Sequence, residues 1–193
     1  MRKIYLVAWL LVTSITFLAG CAQLKSLKKP LEPLEAFSPQ DLSSQFQNVE
    51  FVPKVESFVI ILDASASMEE KYTGTVNKGH PKFTVAKDIL TRMNNTLPEI
   101  DINSALVTFG HGFFKPLDKT FIVYELTKHS RGILENALNG ATTPQGSSPA
   151  GDAIKDARNL LPTSGGQNAV ILVSDGEQLI GSPLSKTQDL KEM

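Results

Sequence analysis

From Ser57 to Asp63 the chain reads Ser-Phe-Val-Ile-Ile-Leu-Asp, a continuous apolar run rich in β-branched residues and closed by an acid. That is the pattern of a parallel strand buried on both faces. A helical period follows over Lys82 to Leu97, where Phe83, Ala86, Ile89, Leu90, Met93 and Leu97 form one stripe. Pro81 suits the first turn of that helix and Pro98 stops it. The pattern then predicts strands over Ile102 to Phe109 and Thr120 to Leu126, and helices over Arg131 to Leu138 and Pro149 to Leu161. A last clear strand over Asn168 to Ser174 again runs into an acid, Asp175. Strands alternating with helices predict an α/β fold, Rossmann-like, with a mostly parallel sheet covered by helices on both faces. In such sheets ligands bind beyond the carboxyl ends of the strands, where Asp63 and Asp175 fall.

The N-terminus has a different pattern. Met1-Arg2-Lys3 is positive, and Ile4 to Leu18 is apolar apart from Thr13, Ser14 and Thr16. This is a secretory leader, shorter than the roughly 20 residues a bilayer-spanning helix needs. It ends in Leu18-Ala19-Gly20-Cys21, which resembles the lipobox of bacterial lipoproteins. The resemblance implies that residues 1–20 are removed and that Cys21, the one cysteine in the chain, is lipidated. Ala22 after the cysteine implies the outer membrane, with the protein facing the periplasm or the surface. From Ala22 to about Gln47 the lysines and prolines carry no sustained period, so residues 21–54 are expected to be the lipidated N-terminus and a tether, and residues 55–193 the folded domain.

Composition narrows the function. The 193 residues are 41% hydrophobic and 20% charged, ordinary values for a globular protein, with a net charge of -1. There is no basic excess to serve as a phosphate footprint, so nucleic acid is not an expected partner. A single cysteine excludes a disulfide scaffold and a thiol zinc site.

The candidate chemistry lies at the strand ends. Asp63-Ala-Ser65-Ala-Ser67 puts an acid and two hydroxyls at alternate positions, which in an extended loop turns all three side chains the same way. Ser147-Ser148-Pro149-Ala-Gly151 places a hydroxyl directly before a helix, and Val173-Ser-Asp175-Gly176 supplies the second acid. Hydroxyl and carboxylate oxygens suit a hard cation such as Mg2+, Mn2+ or Ca2+. Each residue has an ordinary reading as well: Asp63 as a loop cap, Ser65 and Ser67 in local turns, Ser148 as an N-cap, Asp175-Gly176 as a turn. Ser147 competes with Ser148 for the ligand role, and adjacency to Pro149 favours Ser148. Asp152 is expected as a first-turn charge meeting the helix dipole. The histidines His80, His111 and His129 lack paired metal spacing and are expected as solvated polar residues.

Taken together, Ser57 to Glu177 resembles a von Willebrand factor type A domain with a metal-ion-dependent adhesion site. The resemblance implies direct coordination by Ser65, Ser67 and Ser148, with Asp63 and Asp175 acting through bound waters. It implies a divalent cation, Mg2+ first, completed by an acidic side chain of a protein partner, and hence a binding module rather than an enzyme. Ser148 stands where the family usually has threonine. The competing class is an Mg2+-dependent phosphoryl-transfer enzyme of the haloacid-dehalogenase type, which would need an acid where Ser65 stands. Eighteen residues follow Asp175, with a helical pattern beginning at Pro183. A complete domain of this family continues further, and many lipidated relatives add an OmpA-like module. The expectation is therefore a domain lacking its last strands, or a remnant, with low stability from an open sheet edge.

Overall fold

The computed structural model describes residues 30–40, 42, 54–98, 100–110, 120–141 and 143–177. Cys21, the expected leader over residues 1–20, His111 and the pattern from Pro183 lie outside them. The chain divides into two units, Met1–Pro33 and Leu34–Met193, and all that follows concerns the second.

Among the described residues four strands form one sheet: β1 (Ser57–Asp63), β2 (Asn103–Phe109), β3 (Thr120–Lys128) and β4 (Asn168–Val173), in the order β3-β2-β1-β4. β1 is parallel to both β2 and β4, and β3 is antiparallel to β2. All seven residues of β1 are buried, as its unbroken apolar run requires. Period-2 alternation then sends Phe58, Ile60 and Leu62 to one face and Val59 and Ile61 to the other.

Each face has its own core. Helices α1 (Lys82–Thr96) and α2 (Arg131–Asn139) cover the first face through Phe83, Ala86, Leu90, Leu134 and Leu138. Helix α3 (Ala150–Leu160) covers the second through Ala153, Ile154 and Ala157. Fully burying a Leu, Ile or Phe side chain contributes about 1.5–3 kcal/mol, so these stripes decide which way each helix faces. Asn94, 1% exposed on α1, donates Nδ2 to the Arg131 carbonyl at 3.0 Å and so joins α1 to the start of α2.

Three expectations need correction. Ile89 is 52% exposed: six residues on from Phe83, it has rotated off the buried stripe. The loop after β1 is extended only as far as Ser65, because Ala66–Glu69 winds into a 3-10 turn closed by Met68 N–H to the Ser65 carbonyl (3.1 Å), with Met68 buried beneath it. His129 is half-buried rather than solvated. Its Nδ1 lies 3.1 Å from Ser104 Oγ, its ring centroid 5.5 Å from that of Phe58, and its Nε2 is buried without a partner.

Part of the stretch expected as a tether touches the domain. Glu35 N–H donates to Asn77 Oδ1 at 2.8 Å, and Arg92, held by Asp88 at 2.8 Å, donates to the Glu35 carbonyl and lies over the Phe37 ring. Among the described residues no helix is long and apolar enough to cross a membrane.

Candidate metal centre

Parallel pairing of β1 with β2 and β4 sets three carboxyl ends side by side, and the loops leaving them build the site. Gly110, just past β2, joins two of these loops. Its carbonyl accepts N–H bonds from Gln145 (3.2 Å) and Gly146 (3.0 Å), and the Gly146 carbonyl accepts from Ala66 N–H (2.9 Å). Ser65 and Gly146 form an isolated parallel bridge. The loop that carries Ser148 is thus laid against the loop that carries Ser65 and Ser67. Gly110 has φ +80°, and a Cβ there would stand 2.4 Å from the Ser65 backbone nitrogen. Only glycine allows both that conformation and that approach.

The acids are placed from two strands. Asp63, the last residue of β1, is fully buried. Its Oδ1 accepts from Ser65 N–H at 2.8 Å and its Oδ2 from Ser174 Oγ at 2.6 Å. Burial pushes its carboxyl up, partly offset by the bonds from Ser174 and Ser65 and reinforced by the neighbouring charge of Asp175. Asp175, two residues past β4, is 9% exposed at its side chain. Its Oδ1 accepts from Ser67 Oγ (3.3 Å) and Glu177 N–H (3.1 Å), and its Oδ2 from Lys82 Nζ (2.9 Å). Burial would raise it too, but Lys82, the Glu177 N–H and Ser67 outweigh that and hold it below the usual carboxylate range.

Ser65 Oγ and Ser67 Oγ lie 3.1 Å apart, so a chain of polar contacts runs from Asp63 through Ser65 and Ser67 to Asp175. Ser148 is 2% exposed, and its Oγ is buried without a hydrogen-bond partner. The N-cap of α3 is Pro149, with no side-chain cap, so Ser148 does not serve as the helix cap. Leaving a buried hydroxyl unpaired costs about 1–3 kcal/mol, which makes this atom the one in the site most in need of a ligand. Ser147 is half-buried and has an interaction partner. Asp152 lies in the first turn of α3, as expected.

The donor set is oxygen only, two carboxylates and three hydroxyls, which fits Mg2+ or another hard cation. Among the described residues no group of three or more His, Cys, Asp or Glu could hold a metal, so an ion here depends on the serines. The ordinary readings of Asp63 and Asp175 hold alongside, since each accepts the N–H two residues on, as turn-forming acids do.

The residue patterns alone did not disclose three participants. Lys82, taken only as the start of a helix, bonds Asp175; Ser174 bonds Asp63; and Gly110 spaces the loops. Ser174 adjoins a strand-end acid, and Gly110 follows a strand, which are the signals that could have marked them.

The comparisons agree with this fold. The solved structures similar to this chain include BatB from Bacteroides thetaiotaomicron (18% identity, TM-score 0.56) and an aerotolerance-related membrane protein from Bacteroides fragilis (18%, 0.56). Each alignment covers 70% of this chain, and 61% and 62% of those chains respectively, so the match spans about three fifths of their length. A von Willebrand factor type A protein from Catenulispora acidiphila is similar at 20% identity and TM-score 0.50, over 72% of this chain and 30% of its own. No curated protein matches the sequence. The model of the von Willebrand factor type A domain family matches residues 58–178. With its sheet order, strand-end acids and helices on both faces, the chain belongs to the von Willebrand factor type A domain family.

Proposed function

We propose that this chain is a binding module of the bacterial cell envelope, anchored in the outer membrane by lipid on Cys21. Asp63, Ser65, Ser67, Ser148 and Asp175 hold a divalent cation, Mg2+ first, and offer it to an acidic side chain of a protein partner. Type A domains often mediate protein–protein interactions, which supports a binding role over catalysis. The observation that carries the metal reading is the buried, unpartnered Ser148 Oγ, two residues past the Gly146 that bridges Ser65, on a loop laid against the one whose hydroxyls bond each other and Asp175. A cation would supply what that oxygen lacks. With neutral hydroxyls as the direct ligands and the two acids acting through bound waters, such an ion has no anionic oxygen bound to it and stays electrophilic, so a partner's carboxylate is the natural completing ligand. The phosphoryl-transfer alternative gains nothing here, because the position that needs its second acid is Ser65.

The test is thermal unfolding of the full chain in detergent micelles, with and without Mg2+ or Mn2+, beside Asp63→Ala. A ligand at about 100 times its dissociation constant stabilises by about 2.7 kcal/mol, so the midpoint should rise with metal and the variant should lose the rise. An equal midpoint with and without metal would rule the site out. Anchoring is tested separately. In a bacterial host, Cys21→Ser should move the protein from the membrane fraction to the soluble one, and retention in the membrane would count against lipidation.

A further inference from the structure

Lys82 is the first residue of α1, and its place is fixed by main-chain bonds before its side chain is considered. Lys82 N–H donates to the Glu70 carbonyl at 2.8 Å, and Pro81 bridges Lys71 in antiparallel fashion. Its ammonium then reaches Glu70 Oε2 and Asp175 Oδ2, each at 2.9 Å, with Glu177 Oε1 at 3.7 Å. The Lys82 side chain is 21% exposed, so this cluster is only partly open to water. A lysine ammonium carries its charge at neutral pH. One of the two acids of the metal centre is therefore already neutralised by a cation belonging to the chain itself. Among the described residues Asp63 has no such partner: its oxygens accept from the Ser65 N–H and the Ser174 hydroxyl, both neutral donors.

We propose that Lys82 is the resident counter-ion of the metal centre, holding Asp175 when no metal is present and competing with a divalent cation for it. This rests on the metal-site reading above. A cation entering between Ser65, Ser67 and Ser148 meets an ammonium bonded to the nearest strand-end acid. An ammonium and a divalent cation drawn to one carboxylate repel each other in a partly screened site, so metal at the serines weakens the hold of Lys82 on Asp175. Glu70 and Glu177 provide the alternative berth, because both already lie within reach of the same nitrogen. The competition lowers metal affinity and keeps the empty site from carrying uncompensated negative charge.

The test is calorimetric titration of the full chain in micelles with Mn2+, comparing wild type, Lys82→Met, Lys82→Arg and Asp63→Ala. Lys82→Met keeps the aliphatic stem and removes the charge, and it should bind Mn2+ more tightly by about tenfold, the scale of one charge pair near a partly solvated site. Lys82→Arg should stay near wild type. Equal or weaker binding by Lys82→Met, with wild-type binding intact and lost in Asp63→Ala, overturns the competition while leaving the metal site standing. No binding by wild type or by Lys82→Met overturns both. Should Lys82→Met fail to fold, acetylation of wild-type Lys82, followed by mass spectrometry, decides instead. Mg2+ should increase its labelling severalfold as Asp175 lets go, and unchanged or reduced labelling overturns the proposal.

Discussion

Ser148 Oγ bonds to nothing while sitting 2% exposed in a site otherwise rich in contacts. Removing a buried hydroxyl that has no partner removes a cost rather than a bond. Ser148→Ala should therefore leave the metal-free unfolding free energy unchanged or raise it by up to about 1 kcal/mol, as urea denaturation would read it. The same variant should lose the stabilisation that Mg2+ gives. A clear loss of metal-free stability would mean that the hydroxyl has a structural partner after all. At this scale the site residues could be read from their spacing, because acids at strand ends and a hydroxyl before Pro149 are local signals. Lys82 could not, since its role depends on Glu70 and Asp175, which are 12 and 93 positions away.

Most elements were legible because their periods are strong. The apolar run of β1, the stripe of α1 and the strand Asn168–Val173 lie within a residue or two of where the pattern puts them. Less legible was what happens between elements. The 3-10 turn at Ala66–Glu69 is set by Met68 finding a buried place, not by any local period, and Ile89 shows that a near-miss in phase exposes an apolar residue. The contacts of Glu35 and Phe37 with the domain consist of backbone groups and one cation over a ring, which leave no period to read. Gly110 belongs to this scale, because it serves as the joint of three segments. Gly110→Ala would force a Cβ to within 2.4 Å of Ser65 N at φ +80°. It should cost at least about 2 kcal/mol in chemical denaturation and weaken metal binding together with stability. A variant of wild-type stability would show that the two loops can separate freely.

Over the whole molecule, the end of the sheet opposite the metal centre sets a pH response. Burial, and the charge of Arg131, lower the His129 pKa from its ordinary 6.5, so the folded state prefers the neutral ring. The contribution of His129 is thus fully present above pH 6.5 and is lost as pH falls below 6.5 through its lowered folded value. Asp63, raised by burial, acts in the opposite sense, since its protonation on acidification relieves the folded state. Asp175, held low, loses its contribution only below its ordinary 3.8. Comparing urea midpoints at pH 7.5 and 5.5 in wild type and in His129→Gln isolates the histidine, because Asp63 is common to both. Wild type should lose more stability than His129→Gln between the two pH values, and equal losses would remove His129 as the source. Sequence reading placed this residue in solvent because a lone histidine after a strand has no period. Its burial comes from Ser104 and Phe58 on neighbouring strands.

The sheet order also makes the two halves of the candidate metal centre unequal in how readily they can rearrange. Asp63 ends β1, which is paired on both sides and whose Val59 to Leu62 are wholly shielded from solvent. Its amides should exchange with deuterium only through global opening, on the slowest timescale of the chain. Asp175 follows β4, which among the described residues pairs only with β1 and whose side chains are half-buried or exposed. One jaw of the site is thus anchored in the most protected strand and the other is carried by an edge. Under the proposed binding role, a partner would find adaptation on the Asp175 side, while the Asp63 side keeps the register of the fold.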